Sequence, residues 1–126
     1  MPSHHHHMDL VLTSNQMQLF SAHMAETFVN KTILFLRKNF AEWASDKDDA
    51  ALADYIRSMM ALGKKHRVLK QINLQKLMHY HIRYAFNVPL SKDHANILGD
   101  NKYNENNRIK NLLQHLQSAA DHLEKQ

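Results

Sequence analysis

The chain has 126 residues, 44% hydrophobic and 22% charged, with two glycines, two prolines, no cysteine and a formal net charge of +4. That composition suits one soluble domain and excludes collagen, disulfide scaffolds and low-complexity linkers. Without cysteine there is no disulfide framework, thiolate zinc site or cysteine nucleophile, and no run approaches the ~20 apolar residues that span a bilayer. The opening Met1-Pro2-Ser3-His4-His5-His6-His7 reads as an added tag (residues 1–7), which leaves residues 8–126 as the expected domain. Asp9-Leu10-Val11-Leu12 is too short for a secretory core, so a cytoplasmic protein is expected.

Apolar residues recur at three- and four-residue steps almost throughout, and the glycines at 63 and 99 leave little turn chemistry for hairpins. The expected fold is all-α, a single compact bundle of four to five helices with a long N-terminal helix. Thr13-Ser14-Asn15-Gln16 fits a capping box stapled by Leu12 and Met17. Met17, Phe20, Met24 and Phe28 then form a stripe that Ile33, Leu34, Phe35, Leu36 and Phe40 widen, which predicts a helix buried on most sides and ending at Asn39 or Trp43. Ser45-Asp46-Lys47-Asp48-Asp49 supplies the cap of a second helix with core positions Leu52, Ile56, Met59 and Met60, and Gly63 is placed as its stop. Residues 64–72 read as a loop or a short helical turn.

Asn73 is expected to cap a third helix carrying Leu74, Leu77, Met78, Ile82, Ala85 and Phe86, ended by Val88-Pro89. Ser91 and Gly99 bracket a short helix over Lys92 to Leu98. Ile109, Leu112, Leu113, Leu116, Ala120 and Leu123 draw the stripe of a terminal helix of about twenty residues.

The net charge hides an asymmetry. Glu42 to Asp54 holds five acids and one lysine, whereas Tyr55 to Lys92 holds eight basic residues and no acid. A basic segment of this kind steers polyanions, either an acidic protein surface or the phosphates of nucleic acid, and it is equally what a solvated helix end looks like. The candidate contact residues are Lys64, Lys65, Arg67 and Lys70, with Tyr80, Arg83 and Tyr84 as anchors on the next helix. Asp46, Asp48, Asp49 and Asp54 form an alternative acidic face, which would suit a partner with a basic cleft. A helix-turn-helix is a poor description, because about ten residues separate Gly63 from Asn73 where that motif has three or four.

Catalytic patterns are missing: there is no Gly-rich phosphate loop, no H-E-x-x-H and no G-x-S-x-G, and the acids of the joint are already explained by capping. His79 and His81 point about 200° apart on a helix, and His115 and His122 are about 10 Å apart along theirs, so neither pair by itself makes a metal site. No enzyme, cofactor or metal is expected. The methionines read as adaptable core filling, with a Met-lined groove for a partner as the other reading, and Trp43 is either core or an interface anchor.

The order Phe28-Val29 and Leu36-x-x-x-Phe40, Leu52-x-x-x-Ile56, Leu74-x-x-Leu77-Met78, Phe86-x-x-Pro89 and Arg108-Ile109-x-x-Leu112-Leu113 resembles small all-helical proteins encoded beside type VI secretion effectors in Gram-negative bacteria. The resemblance implies an immunity protein that binds and occludes a toxic effector, or an accessory that helps load one, and it brings no catalytic residues. The alternative is a nucleic-acid-binding helical protein that uses residues 55–92. A first helix apolar on most sides also admits a homodimer.

Overall fold

The computed structural model describes residues 22–124. The capping box at Thr13 to Gln16, its staple, Phe20 and the side chain of Leu123 lie outside the described residues. Within them the chain is helical without strands, in six segments: α1 (22–39), α2 (Ala41–Ala44), α3 (Asp49–Lys65), α4 (Gln71–Tyr84), α5 (Lys92–Leu98) and α6 (Glu105–Glu124). The count exceeds the expected four to five because the first helix breaks at Phe40, which takes φ −135° and ψ 51° before α2 resumes. Of the two expected end points, Asn39 is the end of α1, whereas Trp43 lies inside α2, which ends at Ala44. Unbroken apolar periodicity hides such a kink.

One cluster of buried side chains joins all six helices, including Phe28 and Leu36 of α1, Ala44 of α2, Ile56 and Met59 of α3, Leu77 and Met78 of α4, Leu98 of α5, and Ile109 and Leu112 of α6. α4 packs on both α3 and α6, and α6 also packs on α5. On α1 the buried positions are Phe28, Val29, Thr32 and Leu36, a one-sided stripe, while Leu34 is 70% exposed. The helix is thus buried on one side and not on most of its sides as expected, and Met24 and Leu34 stay exposed on it.

Ends and caps follow the sequence unevenly. Asp48 caps α3 by accepting from Ala51 N at 2.8 Å, and Ser91 caps α5 by accepting from His94 N at 3.3 Å. Asn104 does the same for α6, accepting from Asn107 N at 2.9 Å. Gly63, expected as a stop, lies inside α3 with no positive φ. Its role is close approach: a Cβ there would overlap the Leu74 side chain and sit 2.7 Å from the Val68 carbonyl oxygen. Asn73, expected as a cap, is buried inside α4, which begins two residues earlier. α4 ends before Val88-Pro89, at Ala85 with φ 51°, and Ala85 is exposed whereas Phe86 turns into the core.

Candidate functional site

The connection between α3 and α4, residues 66–70, is held by the end of α3 and by α6. Arg67 takes φ 60°, a left-handed conformation that costs a side-chain-bearing residue about 1–2 kcal/mol. That turn drives Val68 into the core, where its N–H donates to Gly63 O at 2.7 Å. Arg108 of α6 holds the turn from beneath. Its guanidinium, on a residue only 5% exposed, donates to the carbonyls of His66 (2.9 Å), Leu98 (2.6 Å), Arg67 (3.1 Å) and Tyr103 (3.2 Å). Two of these carbonyls close α3 and α5, where the helix dipoles concentrate negative charge, so the buried cation is matched without a carboxylate.

Glu105, one turn before Arg108, caps α4 from a distance. Its carboxylate accepts from Leu69 N (2.9 Å), Lys70 N (3.0 Å) and Asn73 Nδ2 (2.6 Å). Burial works against the charged form, but the hydrogen bonds from Asn73, Leu69 and Lys70 outweigh it and hold Glu105 below the usual carboxylate range.

On this fixed junction Lys64, Lys65, Arg67 and Lys70 are all exposed, and Arg67 also donates to Gly99 O at 2.9 Å. Leu69, between Arg67 and Lys70, stands 66% exposed. Tyr80, Arg83 and Tyr84 are not part of the same surface. They lie near the other end of α4, with Arg83 about 20 Å along the axis from Lys70. Tyr80 is only 7% exposed because its position on α4 faces the core, so it is not an external anchor. The Arg83 guanidinium lies 5.5 Å from the Tyr84 ring, and the two line a cleft with Gln117 and Asp121 of α6.

The acids are spent mostly on local structure. Asp46 pairs with Lys47 at 3.0 Å, which lowers its pKa, Asp48 is the α3 cap, and Asp49 accepts from Arg37 at 2.7 Å. Asp54 is exposed. Trp43 is partly buried, edge-on to Tyr55 at 4.8 Å, with the Lys47 ammonium 4.3 Å from its ring.

A row of rings crosses the bundle from Trp43 through Tyr55, His81, Phe86 and His94 to His115, each within 6 Å of the next. Tyr55 and His81 share a hydrogen bond of 2.8 Å between the hydroxyl and Nδ1. Burial lowers the His81 pKa; for His94 burial acts with the neighbouring His115 and against Asp93, also lowering it. The His94 Nδ1 is buried and has no hydrogen-bond partner among the described residues. No three His, Asp or Glu side chains of the described residues are grouped to hold a metal ion. No described helix is long and apolar enough to cross a membrane.

Sequence reasoning missed Glu105, Arg108 and Leu69. A signal existed for Arg108, which stands four and eight residues before Leu112 and Leu116 and therefore on the buried stripe of α6. Glu105 offered none, since an acid in the first turn of a helix is already explained by its own dipole. Comparison with protein-family models, curated proteins and solved structures found no match to this chain.

Proposed function

We propose that the chain is a non-enzymatic protein-binding module. The observation that carries this reading is the α3–α4 junction: a turn fixed from within by Arg108 and Glu105, presenting Lys64, Lys65, Arg67 and Lys70 around an exposed Leu69. A preformed surface with an apolar centre and a charged rim loses little entropy on docking, and its charge speeds encounter with an acidic partner. With the resemblance to proteins encoded beside type VI effectors, the partner is a secreted bacterial effector and the mechanism is occlusion or accessory binding. The test is an untargeted pull-down with the tag removed and neighbouring gene products co-expressed, read by mass spectrometry at moderate salt. One dominant stoichiometric protein is expected; recovery of nucleic acid, or of nothing specific, overturns the reading.

The four cations at one end of the bundle also support a nucleic-acid reading, but the aromatic Tyr80 is in the core rather than beside them. That reading requires binding to random duplexes that weakens steeply with salt, with a shallower slope for Lys64→Ala.

A further inference from the structure

Next to the basic junction lies a small apolar groove. It is lined by Met24 and Phe28 of α1, Met60 of α3, Leu69 of the turn, and Gln71 and Leu74 of α4. Met24 is 47% and Leu69 66% exposed, whereas Phe28 and Leu74 are buried and form its floor. Its volume of 190 Å³ is below the about 300–1,000 Å³ of small-molecule pockets and is sized for a large side chain of a polypeptide. Two of the lining residues are methionines, whose unbranched side chains adapt to different apolar guests.

The rim is cationic. Lys31 Nζ donates to Gln71 Oε1 at 3.3 Å, which places one ammonium at the groove edge. Lys64 follows Met60 by one helical turn on α3. Lys70, between the lining residues Leu69 and Gln71 in the chain, instead holds its ammonium 3.5 Å from Asn106 Oδ1 of α6. The nearby carboxylate of Glu105 is taken up by Leu69 N, Lys70 N and Asn73. Glu26 is the acid adjacent to the lining on α1. We infer that this groove takes an acidic segment of a protein partner: a large apolar side chain enters between Met24, Met60 and Leu69, and carboxylates on either side meet Lys31 and Lys64. The inference rests on the protein-binding reading and assigns it a surface.

The test uses the full chain and a fluorescein-labelled twelve-residue peptide with a central Phe flanked by glutamates. Control peptides carry Ala for the Phe, or Lys for the glutamates. Fluorescence anisotropy should show the acidic Phe peptide binding about tenfold tighter than either control. Leu69→Asp, on an exposed side chain, should weaken it about tenfold, and Lys64→Glu several-fold at low salt with the difference shrinking at high salt. Circular dichroism checks that both variants keep the fold, and methyl shifts at Met24 and Met60 locate the peptide. Equal binding of the three peptides, no binding, or indifference to Leu69→Asp overturns the inference. So do methyl contacts to Met24 and Met60 from residues 1–21 of the same chain, or a dimer that Leu69→Asp dissociates, since each gives the groove a different occupant. A partner recovered equally well by the native chain and Leu69→Asp leaves the protein-binding reading standing and removes this surface from it.

Discussion

The two connections that flank α3 are made differently. The acidic joint before it is tied by neighbours: Ser45 donates to Glu42 O at 2.7 Å, Lys47 donates to Trp43 O at 2.7 Å, Asp48 caps Ala51 N, and Arg37 reaches Asp49 across twelve residues. The basic junction after it is tied by α6, through Glu105 and Arg108, thirty-two to forty-two residues away. The joint's bonds are available as soon as local helix forms, whereas the junction's bonds exist only when α6 has packed. The difference also separates exposed from buried electrostatics: the Arg37–Asp49 pair is solvated, with 37% and 76% of its side chains exposed, while Arg108 has only protein carbonyls around its charge. Solvated pairs contribute little, and an unmatched buried charge or carbonyl costs a great deal.

Arg108→Met is the largest break. It strips four carbonyls of their donor and is expected to lower stability by about 3 kcal/mol, read as a fall in the midpoint of thermal or urea unfolding. Arg108→Lys should recover only part of that, because a single ammonium cannot reproduce the planar fork. Gly63→Ala comes next: helix propensity favours alanine by about 1 kcal/mol, but the overlap with Leu74 and Val68 should reverse the sign and leave a net loss of about 1–2 kcal/mol.

Glu105→Gln should cost about 1–2 kcal/mol at neutral pH, by weakening three hydrogen bonds to a charged acceptor. The sign of its pH dependence follows from its lowered pKa. The stabilisation is fully present above the ordinary value of 4.5 and is lost as pH falls through the folded value, so the gap between native and Glu105→Gln unfolding midpoints should close in acid. Asp48→Ala, at the joint, should cost about 1 kcal/mol, and Asp49→Asn no more than about 0.5 kcal/mol. If the joint variants prove as damaging as the junction variants, the division between local and long-range ties fails.

The smallest effect is a pH slope. His66, His79, His81 and His94 all have pKa values lowered chiefly by burial, so the unfolded chain takes up protons first as pH drops below about 6.5. Their contribution is therefore complete above that pH and declines as pH falls through the folded values. Melting temperature should drop by a few degrees from pH 7.5 to pH 5.5, and His94→Phe, which keeps the ring contacts to Phe86 and His115, should flatten the slope.

Much of the fold was legible because it is local. The Ser91 cap, the helix over Lys92 to Leu98 and the stripe of α6 depend on residues within a turn or two and are where the sequence places them, while the Ser45–Asp49 joint does cap α3 but leaves open which of its residues does so until the structure shows Asp48. Gly63 and Asn73 misled for the opposite reason. Glycine is the residue of helix ends and asparagine of helix caps, yet here the first makes room for Leu74 and the second donates to Glu105 and Asn106. Leu34 and Tyr80 misled in the same way, since apolar or aromatic character does not say which side of a helix faces the core.

By itself the sequence determined that the chain is helical, that the Ser45–Asp49 joint and Ser91 start helices and Gly99 ends one, and that its middle third is basic, because these follow from periodicity, capping chemistry and counting charges. Tertiary packing decided that the basic residues fall at two ends of α4, that Arg108 and Glu105 fix the junction beneath one of these clusters, and that Leu69 and the Met24–Met60 groove lie beside it. Those outcomes depend on contacts between distant segments, whose energies arise only when the helices are already packed together.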